Sequence, residues 1–235
     1  MILYRELFPF VIAASDTTDD LEEPLFPSEQ AWITGACDER RREFIAVRAC
    51  ARSALFCLGV PRPVLIARDS GGPAWPEGIV GSLTHTGTYR AAVCARATQC
   101  ASLGIDAEGL RPLPEGVSGL VLSAGERHQA SLLARTHADI PWDTVMFSAK
   151  ESALKAWAPL SGRFVGFAGV RLVIDPIERT GKHASRTEKR NLGGGSFTAL
   201  LDGIPAAGRW SVEGGLIRSA AWIHSSRTPS GNRLN

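Results

Sequence analysis

Asp106 and Glu108 lie two apart in Gly104-Ile105-Asp106-Ala107-Glu108, and Glu151 and Lys155 stand in Phe147-Ser148-Ala149-Lys150-Glu151-Ser152-Ala153-Leu154-Lys155. These stretches hold three carboxylates and, with Lys150, two ammonium groups. Close carboxylates repel unless a proton or cation stands between them. A hard divalent cation such as Mg²⁺ takes oxygen ligands of this kind. Lysines beside it can hold phosphate, so the set points to metal-assisted chemistry at a phosphate or pyrophosphate. Each part also has a structural reading. Asp106 and Glu108 fit a solvated strand face. Ser148-x-x-Glu151 fits a capping box, and Glu151 with Lys155 an ordinary i,i+4 ion pair.

Gly81-Ser82-Leu83-Thr84-His85 places hydroxyls and an imidazole at the end of a strand, before a glycine turn, where they can hydrogen-bond a phosphate. No G-x-S-x-G nucleophile elbow is present, and Gly181-Lys182 is followed by His183, so there is no Walker A loop. Arg41, Arg48 and Arg52 recur on one helix face, with Arg40 in the first turn. A partly buried guanidinium there would call for an anion, and phosphate suits its fork.

The elements that position these residues read as follows. Residues 13–30 are acidic, proline-containing and irregular, which predicts a surface loop. Asp38 is expected to N-cap a helix running to about Leu58, with Phe44, Val47, Ala51, Ala54, Leu55 and Leu58 on its apolar face. Gly59 stops it. Residues 68–78 carry glycine and proline turn chemistry. Val80–Thr84 and Arg90–Ala95 predict a hairpin. Leu103–Glu108 alternates, so Leu103, Ile105 and Ala107 face one way and Asp106 and Glu108 the other. Ser123-x-x-Glu126 and Ser148-x-x-Glu151 each predict the start of a helix. Val170–Ile174, Ser196–Leu201, Arg209–Val212 and Ile217–Ile223 predict closing strands, with a turn at Glu213-Gly214-Gly215. Residues 178–195 predict a mobile basic loop, and the tail from Ser225 a frayed end. The pattern is α+β, with no clear sequence repeat.

The 235 residues allow one large domain or two small ones, and 44% hydrophobic residues supply a core. A net charge of +2 gives no argument for a nucleic-acid partner. No stretch approaches the ~20 apolar residues of a membrane span, and charges interrupt the N-terminus before any signal-peptide run. Five cysteines without a C-x-x-C pair predict reduced thiols in a cytoplasmic protein.

Three segments in order resemble the motifs of Sfp-type 4′-phosphopantetheinyl transferases, nearest the enterobactin-synthase-component-D type found in actinobacteria. They are Trp75-Pro76-Glu77-Gly78-Ile79-Val80-Gly81-Ser82-Leu83-Thr84-His85, Gly104–Glu108, and Phe147–Lys155 continuing into Ala156-Trp157. Arg41–Arg48 and Ala207–Glu213 extend the resemblance over about residues 35–223. It implies two similar α+β halves in a pseudo-twofold arrangement, residues 1–104 and 105–224, with a tail 225–235 and coenzyme A at the interface. It implies a monomer that moves the phosphopantetheine arm of coenzyme A to a serine of an apo carrier protein, releasing adenosine 3′,5′-bisphosphate. Asp106, Glu108 and Glu151 would hold Mg²⁺, or Mn²⁺. Glu151 would be the base, Lys155 would stabilise the pyrophosphate, and Asp106 would touch both metal and coenzyme. Arg40, Arg48 and His85 would bind the coenzyme phosphates, with Thr84 and Lys150 nearby.

The chain departs from that pattern twice. Relatives carry lysines before the Gly-Pro turn, whereas this chain has Ala67-Arg68-Asp69-Ser70, so Arg68 and Ser70 are the expected phosphate contacts there. Ala107 fills the middle of the Asp-x-Glu triplet, so water or a coenzyme oxygen would complete the metal shell. Fatty-acid, polyketide and nonribosomal-peptide carriers, including those of siderophore synthesis, are all open as acceptors. Two other readings share some of these features: a Mg²⁺-dependent hydrolase of a nucleotide pyrophosphate, and a non-catalytic binder of carrier proteins.

Overall fold

The apolar residues Phe44, Val47, Ala51, Ala54 and Leu55 recur at helical spacing, and in the computed structural model they are all buried on one helix, Asp38–Cys57. The structure describes residues 3–65, 72–163, 165–175 and 191–225. In chain order the strands are β1 Ala13–Thr17, β2 Ile79–Thr86, β3 Tyr89–Arg96, β4 Ser102–Gly109, β5 Val170–Ile174, β6 Asn191–Leu201, β7 Ile204–Glu213 and β8 Leu216–Ile223. The helices are α1 Pro27–Gln30, α2 Asp38–Cys57, α3 Val117–Val121, α4 Ala124–Thr136 and α5 Trp142–Ser161.

The strands form two antiparallel sheets, ordered β1-β3-β2 and β4-β8-β7-β6-β5. Helix α2 covers the first and α5 the second, each burying its own apolar cluster. The opposite faces share a third cluster. Tyr4, Leu7 and Phe8 from the N-terminal segment, Val93 from β3, Leu103 and Ile105 from β4 and Trp222 from β8 all pack there. The two α+β halves therefore hold a core in common.

The sheets meet edge to edge at β2 and β4, through hydroxyls in place of carbonyls. Ser82 Oγ accepts from Ile105 N–H at 3.0 Å, and Thr84 Oγ1 accepts from Ala107 N–H at 3.1 Å. These bonds satisfy donors that a buried strand edge would otherwise leave unpaired. The serine and threonine expected to meet phosphate also form the seam between the halves.

Several expectations need correction. Residues 13–30 are not all loop: β1 pairs with β3 from Ala13↔Cys94 to Thr17↔Arg90, and α1 follows. Glu29 on α1 is fully buried, held by two bonds from Arg52 Nη2 at 2.6 and 2.5 Å and by Leu65 N–H at 2.7 Å. That buried pair anchors a stretch whose composition reads as surface. The N-cap of α2 is Cys37, and Asp38 is its first residue. Ser148 opens no helix: α5 begins six residues earlier at Trp142, because Trp142, Val145, Met146 and Ala149 are all buried and pull the helix back onto the sheet. The Ser123–Glu126 capping box does form. The expected boundary at 104/105 falls inside β4, which pairs with β8 along its whole length. The expected loop 178–195 gives Asn191–Gly195 to β6, while its remainder and the tail beyond Ser225 lie outside the described residues.

Candidate active site

β4 alternates as its sequence demands. Leu103, Ile105 and Ala107 enter the shared core, and Gly104, Asp106 and Glu108 face α5. A Cβ on Gly104 would stand 2.0 Å from the carbonyl oxygen of Ser152 and 2.6 Å from the amide nitrogen of Ala156. Only glycine admits the α5 backbone so close to β4. The contact carries Lys155 to Asp106, and Nζ lies 2.7 Å from Oδ1.

Asp106 is 4% exposed. Its Oδ1 also accepts from Thr84 Oγ1 at 3.4 Å, while its backbone oxygen accepts from Tyr4 Oη at 2.6 Å. Its Oδ2 is buried without a partner. An orphaned, desolvated carboxylate oxygen costs free energy unless a cation or donor meets it. Glu108 and Glu151 stand half-buried nearby. Burial, then the negative charge of Asp106, raises the Glu108 carboxyl to about 7 against the pull of Lys155. Glu151 is also raised, by burial first and by Asp106, with Lys155 opposing.

Among the described residues, no three or more His, Cys, Asp or Glu side chains are gathered as a ready metal cluster. The expected triad is thus not gathered in this arrangement, in which Lys155 occupies one oxygen of Asp106. The donor set still suits a hard divalent cation. It offers only carboxylate oxygens, one of them orphaned, and burial and mutual charge hold two of the three groups toward their neutral forms.

Glu151 and Lys155 line a cleft of about 640 Å³ between the halves. Its far wall comes from α2 and β2. Arg48 lies there 4% exposed, its Nε unpartnered and its guanidinium carbon 3.2 Å from the Phe44 ring centroid. Burial lowers it to about 10, which leaves it a cation at neutral pH, so an anion here would offset the cost of its burial. Arg40 Nη1 lies 3.2 Å from His85 Nε2. Trp75 covers β2 at Gly81, where a Cβ would meet the indole at 2.7 Å.

The structure brings Arg40, Arg48, Thr84, His85, Glu151 and Lys155 to this cleft. Arg68 and Ser70 lie outside the described residues. Lys150 does not reach it. Its ammonium, 1% exposed, pairs with Glu126 Oε2 at 2.8 Å and donates to the carbonyls of Val121 and Phe167 at 3.0 and 3.2 Å. A second hollow of about 790 Å³ has Lys150 and Glu126 in its wall, but both groups are spent on one another. Arg52 likewise leaves the expected arginine face for the buried Glu29 pair.

Sequence reasoning missed Glu43. Its carboxylate stands on the cleft wall, with Oε2 3.3 Å from Arg40 Nη1 and Oε1 3.2 Å from His85 Nδ1. The Arg40-x-x-Glu43 spacing on one helix turn was the available signal.

Two family models match the chain: the 4′-phosphopantetheinyl transferase N-terminal domain over residues 28–95 and the 4′-phosphopantetheinyl transferase superfamily over residues 102–201. The 4′-phosphopantetheinyl transferase Svp of Streptomyces mobaraensis is 42% identical over 208 residues, 88% of this chain and 82% of that one. The 4′-phosphopantetheinyl transferase PptT of Mycobacterium tuberculosis is 42% identical over 198 residues, 83% of this chain and 84% of its own. Enterobactin synthase component D of Salmonella typhimurium is 36% identical over 130 residues, 54% of this chain and 52% of that one. With both halves matched in order and relatives aligned over most of its length, the chain belongs to the 4′-phosphopantetheinyl transferase superfamily and is an enzyme that transfers phosphopantetheine to carrier proteins.

Proposed function

We propose that this enzyme transfers the phosphopantetheine arm of coenzyme A to a serine hydroxyl of an apo acyl or peptidyl carrier protein, with a divalent cation, and releases adenosine 3′,5′-bisphosphate. The observation that carries this reading is the pairing of two unlike walls in one cleft. One wall has Glu151 and Lys155, and Lys155 holds one oxygen of Asp106 while the other oxygen of Asp106 is orphaned; the other wall has Arg48, Arg40 and His85. Coenzyme A carries a pyrophosphate and a separate phosphate monoester, and it needs two such anion sites.

Asp106, Glu108 and Glu151 would hold Mg²⁺ or Mn²⁺, which when bound neutralises charge on the pyrophosphate. Lys155 supplies a further positive charge where the leaving phosphate becomes more anionic. Glu151 takes the proton of the incoming serine, and burial, which raises its affinity for protons, suits it to that role. The serine oxygen bonds to the phosphorus that bears the pantetheine arm. The bond from that phosphorus to the bridging oxygen breaks, and the adenosine bisphosphate departs. Arg40, Arg48 and His85 orient the coenzyme and take no part in bond making. Thr84 acts one step back, through its bonds to Asp106 and Ala107. The enzyme works as a monomer, because one chain supplies both walls.

The test is the intact mass of apo carrier proteins of fatty-acid, polyketide and nonribosomal-peptide type, incubated with the enzyme, coenzyme A and Mg²⁺. A gain of one phosphopantetheine, abolished by EDTA, is expected. Coenzyme A cleavage without any gain would replace the reading with a hydrolase, and neither event with a non-catalytic binder.

A further inference from the structure

Glu43 poses a physical problem. It puts a carboxylate, 16% exposed, into the wall that is to receive an anion. It is held there by three cationic or proton-donating groups from three elements. Arg40 on its own helix is 3.3 Å away, His85 at the end of β2 is 3.2 Å away, and Arg90 of β3 is 4.0 Å away. Arg90 is itself pinned, its Nη1 donating to the carbonyls of Gly87 and Tyr89.

This geometry determines where the His85 proton sits. An arginine nitrogen only donates. The 3.2 Å contact from Arg40 Nη1 to His85 Nε2 therefore makes Nε2 an acceptor, with its lone pair toward Arg40. The proton of the neutral ring is then on Nδ1, where it donates to Glu43 Oε1. The carboxylate thus fixes the tautomer, as an acidic partner does for a histidine base. A phosphate oxygen entering between Arg40 and His85 displaces the Arg40–Nε2 bond. Arg40 then donates to the phosphate. Nε2, left facing an anion with a lone pair, takes a proton from solvent and donates as well. Glu43 balances the imidazolium from the other side.

We propose that Glu43 is a positioning residue of the coenzyme subsite, a carboxylate that fixes the His85 tautomer and lets the ring take up one proton when a phosphate monoester enters between His85 and Arg40. This rests on the coenzyme A reading above, in which the pyrophosphate belongs to the Lys155 wall and the 3′-phosphate to this one. The charged groups that face His85 are Glu43 and Arg40 from α2, Arg90 from β3 and Lys155 from α5. Burial holds the free ring below its usual range, with Arg40, Arg90 and Lys155 assisting and Glu43 opposing. At pH 8 the ring is therefore neutral before binding. The phosphate monoester, with its second pKa near about 6, is already a dianion there. Any proton taken up then belongs to the protein.

The experiment is calorimetric titration at pH 8 with Mg²⁺, in two buffers of different ionisation enthalpy, using coenzyme A and 3′-dephospho-coenzyme A. Coenzyme A is expected to take up close to one proton more than the dephospho form. In Glu43→Gln that difference falls to near zero. Coenzyme A then binds about tenfold more weakly, the loss of one charge-assisted contact, while the dephospho form changes less than about twofold. A carboxylate that only braced the helix would weaken both ligands alike and leave proton uptake untouched. Equal proton uptake by the two ligands in the wild type, or tighter coenzyme A binding by Glu43→Gln, would overturn the proposal while leaving the transferase reading intact. Absence of coenzyme A binding altogether would instead overturn the reading beneath it. The wild-type comparison needs no variant, so a failure of Glu43→Gln to fold leaves the test in place.

Discussion

Lys155 leaves α5 one turn beyond Glu151 yet reaches across to Asp106 on β4, which separates the two carboxylates by role. Asp106 pairs with an ammonium, while the Glu151 carboxyl is raised by burial. Asp106→Ala or Glu151→Ala should each lower carrier modification by about 10²–10⁴-fold. The fold should persist, because Lys155 is 33% exposed and can turn to water. Circular dichroism and thermal melting check the fold, and intact mass checks transfer; a folded variant with full activity would remove that residue from the mechanism. Glu108 gives a pH prediction. Its folded carboxyl, raised to about 7 from 4.5, prefers its proton more than the unfolded one does. Stability in EDTA should therefore be greatest at low pH in this range and fall as pH rises from about 4.5 to about 7, then level off. Glu108→Gln should flatten that slope, and Mg²⁺ should recover more stability at pH 8 than at pH 5.5. Melting curves across this range decide it, and an unchanged slope in Glu108→Gln would show that another group carries the linkage.

At the scale of elements, the site depends on how closely α5 lies on β4. Gly104→Ala puts a methyl into the α5 backbone, where no side chain can yield, and should cost about 3 kcal/mol or more. Chemical denaturation measures it, and a near-neutral result would mean that the helix can slide. Lys150 holds the same helix from its other side. Lys150→Met leaves the Glu126 carboxylate buried without its ammonium and should cost about 3–5 kcal/mol. Adding Glu126→Gln should restore part of that loss, since the pair is then neutral, and a double-mutant cycle measures the coupling. Strictly additive losses would show that the two groups do not depend on each other. These elements also show what was legible in the sequence. The alternation of Leu103–Glu108, the apolar stripe of α2, the β2–β3 hairpin and the β7–β8 turn all declare themselves through local periodicity and turn chemistry, and they form. β1 does not: Ala13-Ala14-Ser15-Asp16-Thr17 has a single branched residue, Thr17, and its burial comes from β3 and α2. Ser148-x-x-Glu151 carries a cap signal that the burial of Trp142, Val145 and Met146 overrides. Lys150 beside Glu151 reads as a site lysine, and only its distant partner Glu126 reveals otherwise. The carboxylates and Lys155 were legible as types and spacings, while the joining of Arg40 to His85 came only through the family resemblance. Glu43 was hidden because its meaning lies in His85, on another element.

At the scale of the whole molecule, the cleft exists only while the two halves are docked. What docks them is the shared core of Tyr4, Leu103, Ile105 and Trp222 with β3, together with the hydroxyl seam of Ser82 and Thr84. Neither half buries its inner face alone, so the enzyme should unfold in a single calorimetric transition whose calorimetric and van't Hoff enthalpies agree. A ligand that binds only the docked form must then stabilise both halves at once. Coenzyme A with Mg²⁺ at about 100 times its dissociation constant should add about 2.7 kcal/mol and move the whole transition upward without splitting it. Ser82→Ala with Thr84→Val removes the acceptors for two buried amides and should lower that transition in the free enzyme. It should also weaken the ligand's effect, because the two walls of the cleft would no longer be fixed relative to each other. Two resolved transitions, only one of them shifted by coenzyme A, would mean that the halves are independent and that a single half carries the coenzyme site.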